Sequence, residues 1–177
     1  MPRIPYQPLD LAEPRELVDA IRKRRGGTLL ELDRILLHAP PFARGWNQFL
    51  GAVRQELSLP AKLRELAIIG VGVLNGAHYE VVKHSPEFRA GGGTDAQLAA
   101  LYEYEDAAGD SALFDATERA VMRLTIEMTR MVKVSDAAFA ALKLQFPEPQ
   151  QIMELVGTIA AYNMVSRIIV ALAIEEE

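Results

Sequence analysis

From Leu66 to Ala77 the only polar side chain is Asn75. A helix that is apolar on every face has no side to turn toward water, so this segment has to sit at the centre of whatever the chain folds into. Strict alternation of apolar and polar residues never persists long enough to predict a strand, and the expected class is all-α. Half of the 177 residues are apolar, ample for the core of one domain over residues 1–177. The proline-rich start, MPRIPYQPLD, reads as an extended arm over residues 1–13.

Breakers and caps place the other helices. Pro14 to Arg25 and Leu29 to His38 read as short amphipathic helices parted by Gly26-Gly27, and Pro40-Pro41 opens a third that runs to about Leu57. Ser58-Leu59-Pro60 leads into the central helix, which ends near Asn75-Gly76, a pair that tolerates the left-handed conformation closing many helices. The chain then restarts at Ala77 or His78. Gly91-Gly92-Gly93 is a second breaker, and Thr94-Asp95-Ala96-Gln97 has the spacing of a capping box for a helix to about Asp106. Those glycines have neither a preceding strand nor a Lys-Ser/Thr pair, so they are not read as a phosphate loop. Asp115 and Ser135 cap two further helices, and Pro147 and Pro149 introduce a last one.

Several function classes drop out on composition. A net charge of −5 argues against nucleic acid as a partner, since a phosphate-tracking surface needs a clustered basic face. The run Arg22-Lys23-Arg24-Arg25 is expected to be a solvated helix end. Leu155 to Ile174 is long and apolar but carries Asn163, Ser166 and Arg167, so a buried helix is expected there and no membrane partner. Without cysteine there are no disulfides, thiolate metal sites or thiol nucleophiles, which fits a cytoplasmic protein.

The chemistry-bearing residues gather between Arg64 and His84. Glu65 lies on the stripe of Ile68, Ile69 and Gly72, where partial desolvation is expected to raise its pKa and suit it to proton transfer; the plainer reading is a first-turn glutamate paired with Arg64. Glu80 and His84 are four apart on one helix face, where a carboxylate can orient an imidazole and raise its basicity. A surface pair at that spacing is the plainer reading. His78 falls on a different face from His84, which argues against a two-histidine metal site. In the last helix Glu154, Thr158, Tyr162 and Ser166 form a polar stripe, with Asn163 and Arg167 a further i, i+4 pair that needs partners. His38 reads as a helix-end residue bonded to terminal carbonyls.

Leu63-Arg64-Glu65-Leu66-Ala67-Ile68-Ile69, followed by Leu74-Asn75-Gly76-Ala77-His78-Tyr79-Glu80 and His84, resembles the carboxymuconolactone decarboxylase family, which includes the AhpD-like peroxidases. The MPRIPY arm, Phe114-Asp115-Ala116-Thr117-Glu118-Arg119-Ala120 and Val132-Lys133-Val134-Ser135 extend the resemblance over nearly the whole chain. It implies an AhpD-like helical fold and a homo-oligomer, trimer or hexamer. In the AhpD-like branch a glutamate precedes a Cys-x-x-Cys pair and a histidine follows it; Glu65 and His84 match these ends, while Ala77 and Glu80 stand where the cysteines belong. Alanine supplies no thiolate, so thiol peroxidase chemistry is closed to this chain. The decarboxylase branch resembles the chain through the pair Glu80 and His84 and an arginine like Arg64.

Together these readings predict a cofactor-free acid/base enzyme, a decarboxylase or isomerase of a small carboxylated lactone or enolisable acid. Glu65, Glu80 and His84 are its expected catalytic groups, and Arg64, Tyr79, Tyr162 and Arg167 its expected substrate contacts. No resident metal is expected. Two alternatives stand beside this reading: a non-catalytic member of the family that binds a small ligand or partner chain, and a metal-dependent enzyme using Glu65, Glu80 and His84.

Overall fold

A computed structural model describes residues 1–176, and among them there are helices and no strands. The chain forms two compact units: Met1–Leu57 together with the chain from Ile169 onward, and Ser58–Ile168.

The first unit holds α1 (Arg15–Arg24), α2 (Glu31–Leu36) and α3 (Pro40–Gln55). Leu17, Val18 and Ile21 of α1 are buried, as are Leu32 and Ile35 of α2 and Trp46 and Leu50 of α3, the apolar stripes that the spacing predicts. The amino-terminal arm is pinned along its length. Arg3 donates from its backbone N–H to the Leu172 carbonyl (2.9 Å) and from its guanidinium to the Ala171 carbonyl (2.9 Å), and the Arg34 guanidinium lies 4.9 Å above the Tyr6 ring.

Two expectations fail in this unit. His38 does not bond carbonyls at its own helix end; Nε2 donates to the Pro5 carbonyl (2.6 Å) and Nδ1 accepts from the Gln7 amide (3.1 Å), so the ring clamps the arm. The basic run is not a solvated helix end either. The Arg24 and Arg25 side chains are only 11% and 12% exposed and close on Asp33, which is 1% exposed, with Arg25 Nε donating to Asp33 Oδ2 at 2.9 Å. A buried carboxylate demands such donors, and the two arginines supply them.

The second unit is built around α4 (Ala61–Leu74), whose residues Leu66 to Ile69 are completely buried, as its all-apolar surface requires. Gly76 closes α4 at φ 67°, and the Ala77 N–H returns to the Gly72 carbonyl (2.8 Å), the bond pattern of a left-handed helix end at the predicted Asn75-Gly76 turn. α5 (His78–Ala90) then packs back along α4. Gly72 permits that approach: a Cβ there would come within 3.1 Å of the Val81 side chain and 3.4 Å of the Glu80 Cβ.

Thr94 and Gln97 exchange the two capping-box bonds (3.1 and 3.2 Å), but the helix they open is broken into α6 (Asp95–Ala100), a 3₁₀ turn (Leu101–Glu103) and α7 (Tyr104–Ala107). Leu98, Leu101, Tyr104 and Ala107 recur every three residues and are all buried; the tighter 3₁₀ turn is the winding that keeps a three-residue period facing inward. α8 (Ala116–Arg130) packs on α4 and on α9 (Asp136–Gln145), with Asp115 and Ser135 capping as predicted (2.8 and 3.2 Å).

The last helix, α10 (Pro149–Leu172), is long and apolar enough to cross a membrane by length and composition, with a mean hydropathy of 1.7. Its Leu155, Thr158, Ile159, Tyr162, Val165 and Ser166 are nonetheless fully buried in the second unit. Asn75, the one polar side chain of the central segment, donates from its amide to Ser166 Oγ (2.8 Å) and Asn163 Oδ1 (3.1 Å), and Asn163 in turn donates to Thr129 Oγ1 (3.0 Å). These bonds satisfy polar groups that an apolar interior would otherwise strand.

Candidate active site

Three helices of the second unit bring one imidazole, two carboxylates and a phenol together. Glu65 comes from the start of α4, Glu80 and His84 from one face of α5, and Tyr162 from the middle of α10. Glu65, Glu80, His84 and Tyr162 are 2%, 2%, 6% and 0% exposed, so their polar atoms must satisfy one another or a bound molecule.

His84 is held from both sides. Its Nδ1 lies 2.5 Å from Glu65 Oε2, and Arg64 Nε donates to Glu65 Oε1 at 2.9 Å, so both oxygens of Glu65 accept a bond. An ionised carboxylate only accepts, which places a hydrogen on Nδ1, facing Glu65. The Tyr162 hydroxyl is hydrogen-bonded to Nε2 at 3.2 Å, and the two rings meet edge to face at 5.1 Å. Glu80 Oε2 also lies 3.2 Å from Nε2, yet it is buried and has no hydrogen-bond partner.

The expected rise in the Glu65 pKa is not found. Burial alone would push this carboxyl up, but the hydrogen bond and charge of His84, and then those of Arg64, outweigh it and hold the group below its ordinary value of 4.5. Glu65 is therefore an anion at neutral pH. It orients the imidazole, a role that the i, i+4 spacing had suggested for Glu80.

The other expected contacts are divided. Arg64 reaches the cluster through Glu65 and keeps 17% of its side chain exposed. Tyr79 is buried in α5, with the Lys83 ammonium 5.6 Å above its ring. Arg167 is exposed and turns back on its own helix, donating to the Asn163 carbonyl (2.7 Å) and Oδ1 (2.6 Å). Because Glu65 and Glu80 address opposite nitrogens of one ring, they do not converge on a common point. Among the described residues no group of three or more His, Cys, Asp or Glu side chains is arranged to hold a metal ion.

A sequence model of the carboxymuconolactone decarboxylase family matches residues 40–127, a span that contains Glu65, Glu80 and His84. The chain belongs to the carboxymuconolactone decarboxylase family. No curated protein matches it. Among solved structures, an AhpD-core peroxidase-related protein from Ralstonia eutropha superimposes with a TM-score of 0.81 at 16% identity, covering 99% of this chain and 92% of that one. A peroxidase-related protein from Silicibacter sp. gives 0.79 at 18% identity over the same shares. A cysteine-to-alanine variant of a debrominase, in complex with 2,3,4-tribromopyrrole, gives 0.79 at 16% identity, covering 98% of this chain and 92% of that one. At these identities the likeness establishes the AhpD-like fold and nothing of the activity. This family member has no cysteine anywhere in its sequence.

Proposed function

We propose that this member of the family is a cofactor-free acid/base enzyme that decarboxylates or isomerises a small enolisable acid such as a carboxylated lactone. The observation that carries the reading is the buried imidazole with Nδ1 fixed on Glu65 at 2.5 Å, which reserves Nε2 for proton transfer. In a decarboxylation the C–C bond to the carboxylate breaks, carbon dioxide leaves, and the electron pair passes into an enolate. Imidazolium Nε2–H then delivers the proton to carbon, with Glu65 offsetting the ring's positive charge. In an isomerisation Nε2 removes a proton from one carbon and returns it to another. Arg64, partly exposed at the edge of the cluster, is the cation for a substrate carboxylate; Tyr162 steadies Nε2. Tyr79 contributes an apolar wall, and Arg167, tied to Asn163, contributes less than the sequence suggests.

The debrominase variant supports a small ring compound as the ligand class, because a scaffold of the same fold holds tribromopyrrole. We also read the protein as a cytoplasmic homo-oligomer: Met153 and Val170 leave apolar surface of α10 uncovered, at 65% and 46% exposure.

The test is a turnover screen by mass spectrometry with carboxylated lactones and β-keto acids. Wild-type protein is expected to release carbon dioxide or isomerise at least one of them, and His84→Ala to lose roughly 10²–10⁴-fold of that rate. Full turnover by His84→Ala would contradict the assignment. Acids that bind both proteins and are recovered unchanged would identify a non-catalytic binding protein instead.

A further inference from the structure

We propose that the cleft between α8 and α9 is a binding site for a small organic carboxylate with a compact apolar body, gripped by Arg119 and Arg123. The cleft has a volume of about 390 Å³, within the range of small-molecule sites, and lies wholly in the second unit. The inference goes beyond the acid/base reading and stands without it, because the cleft shares no residue with the cluster around His84.

What carries it is a pair of cations with no anion. Arg119 and Arg123 are one turn apart on α8, a spacing at which two like charges disfavour the helix. Elsewhere in this chain of net charge −5, Arg24, Arg25, Arg34, Arg64, Arg89 and Arg130 each close on a carboxylate. The acids nearest Arg119 and Arg123 in sequence are spent on other groups. Asp115 caps α8 by accepting from the Glu118 N–H (2.8 Å), Glu118 is buried against the Lys62 ammonium, and Glu127, one turn past Arg123, accepts twice from Ser135 (2.6 and 3.0 Å). Arg119 donates to the Phe114 carbonyl, which fixes its guanidinium and leaves further N–H groups for a ligand. Arg123 is exposed and makes no hydrogen bond or ion pair among the described residues.

The other walls of the cleft define what the anion is attached to. Ala108, Ala116, Ala120 and Ala141 line it together with Leu144, which is 82% exposed, and among the described residues no acidic side chain does. Small apolar side chains leave room for an apolar body and give it surface to bury, which a bare inorganic anion does not use. Gln145 also lines the cleft; its Oε1 accepts from the Thr117 hydroxyl (3.0 Å), so its amide N–H groups remain to donate. The planar guanidinium fork matches a carboxylate in shape as well as charge. A carboxylate set between Arg119 and Arg123 offsets their repulsion while its body covers Leu144.

The experiment titrates benzoate, benzamide, acetate and inorganic phosphate into full-length protein with labelled alanine methyl groups, followed by NMR. Benzoate is expected to shift the Ala120 and Ala141 methyls at millimolar concentration. It binds about tenfold more tightly than benzamide, which lacks the charge, and than acetate, which lacks the body. Arg123→Gln, at an exposed residue with no hydrogen bond to lose, weakens benzoate about tenfold, and Arg123→Lys, which keeps the charge without the fork, falls between. Ala141→Leu fills the cleft and weakens benzoate to a similar extent with both arginines still in place. Equal binding of benzoate and benzamide overturns the proposal. So does acetate or phosphate binding as tightly as benzoate, since the arginines would then be a plain anion patch. Benzoate binding that neither Arg123→Gln nor Ala141→Leu weakens overturns it as well, and so does benzoate that leaves the Ala120 and Ala141 methyls unshifted, wherever else it binds.

Discussion

Glu65→Ala lowers folding stability by about 3–5 kcal/mol, the cost of removing one partner from a buried ionic cluster and stranding the other. The substitution leaves His84 Nδ1 without the acceptor now 2.5 Å away and Arg64 Nε without the one at 2.9 Å, both beneath a nearly closed surface. Urea denaturation at neutral pH measures it. Glu65→Gln costs less, because a glutamine oxygen still accepts from Nδ1. The two variants also differ from wild type in acid. The folded-state pKa of Glu65 lies below its ordinary value of 4.5, so the stability that its charge contributes is fully present above that value and is lost as the pH falls through the lower, folded-state one. Both variants have no such carboxylate to protonate. Their stability curves are expected to be flatter than that of wild type below pH 4.5, and an unchanged acid slope would mean that Glu65 gains nothing from its partners on folding.

The second large effect sets two glycine substitutions against each other. At Gly70 a Cβ would lie 2.2 Å from Tyr104 Cζ and 2.5 Å from its hydroxyl oxygen. Tyr104 cannot yield cheaply: it is 1% exposed, and its hydroxyl donates to the Leu66 carbonyl at 3.1 Å. Gly70→Ala is expected to cost roughly 3 kcal/mol, from overpacking and from displacement of the ring off its hydrogen bond. At Gly157, inside α10, a Cβ meets nothing within 4 Å. There alanine removes only the backbone freedom of glycine and should raise stability by about 0.5–1 kcal/mol. Thermal unfolding of the two variants decides the matter; the same sign for both would show that the packing of α4 against Tyr104 is looser than described.

Most of the helical framework was legible because its signals are local. Asn75-Gly76 closes α4, and Thr94, Asp115 and Ser135 cap their helices, because each such choice depends on the φ angle or side-chain oxygen of one residue. The all-apolar run from Leu66 placed α4 at the centre for an equally local reason. The contacts that sequence spacing mistook are tertiary. The i, i+4 rule pointed to Glu80 as the partner of His84, and Glu80 is indeed 3.2 Å from the ring, but the shorter bond is to Glu65, nineteen residues back across the α4–α5 turn. Periodicity reports neighbours within a helix and is blind to neighbours across a turn.

The same blindness reversed the Glu65 pKa. Desolvation can be inferred from an apolar stripe, whereas compensation by His84 and Arg64 requires knowing where they lie. The burial of Arg24 and Arg25 on Asp33 was hidden for that reason too, since a run of cations says nothing of the anion it will meet. Asn75 is the sole polar side chain in the central helix segment, and the Asn163 and Ser166 that were seeking partners in α10 are the groups it binds.

The account turns on which nitrogen of His84 carries the fixed proton, and nitrogen-detected NMR of the labelled imidazole across a pH titration reads this directly. The expected result is an Nδ1 that stays protonated throughout, with Nε2 as the nitrogen that gains and loses the proton, and a loss of this asymmetry in Glu65→Ala. An Nδ1 that gives up its proton while Nε2 keeps one would contradict the account, because the ring would then present no base on the side facing Glu80 and Tyr162.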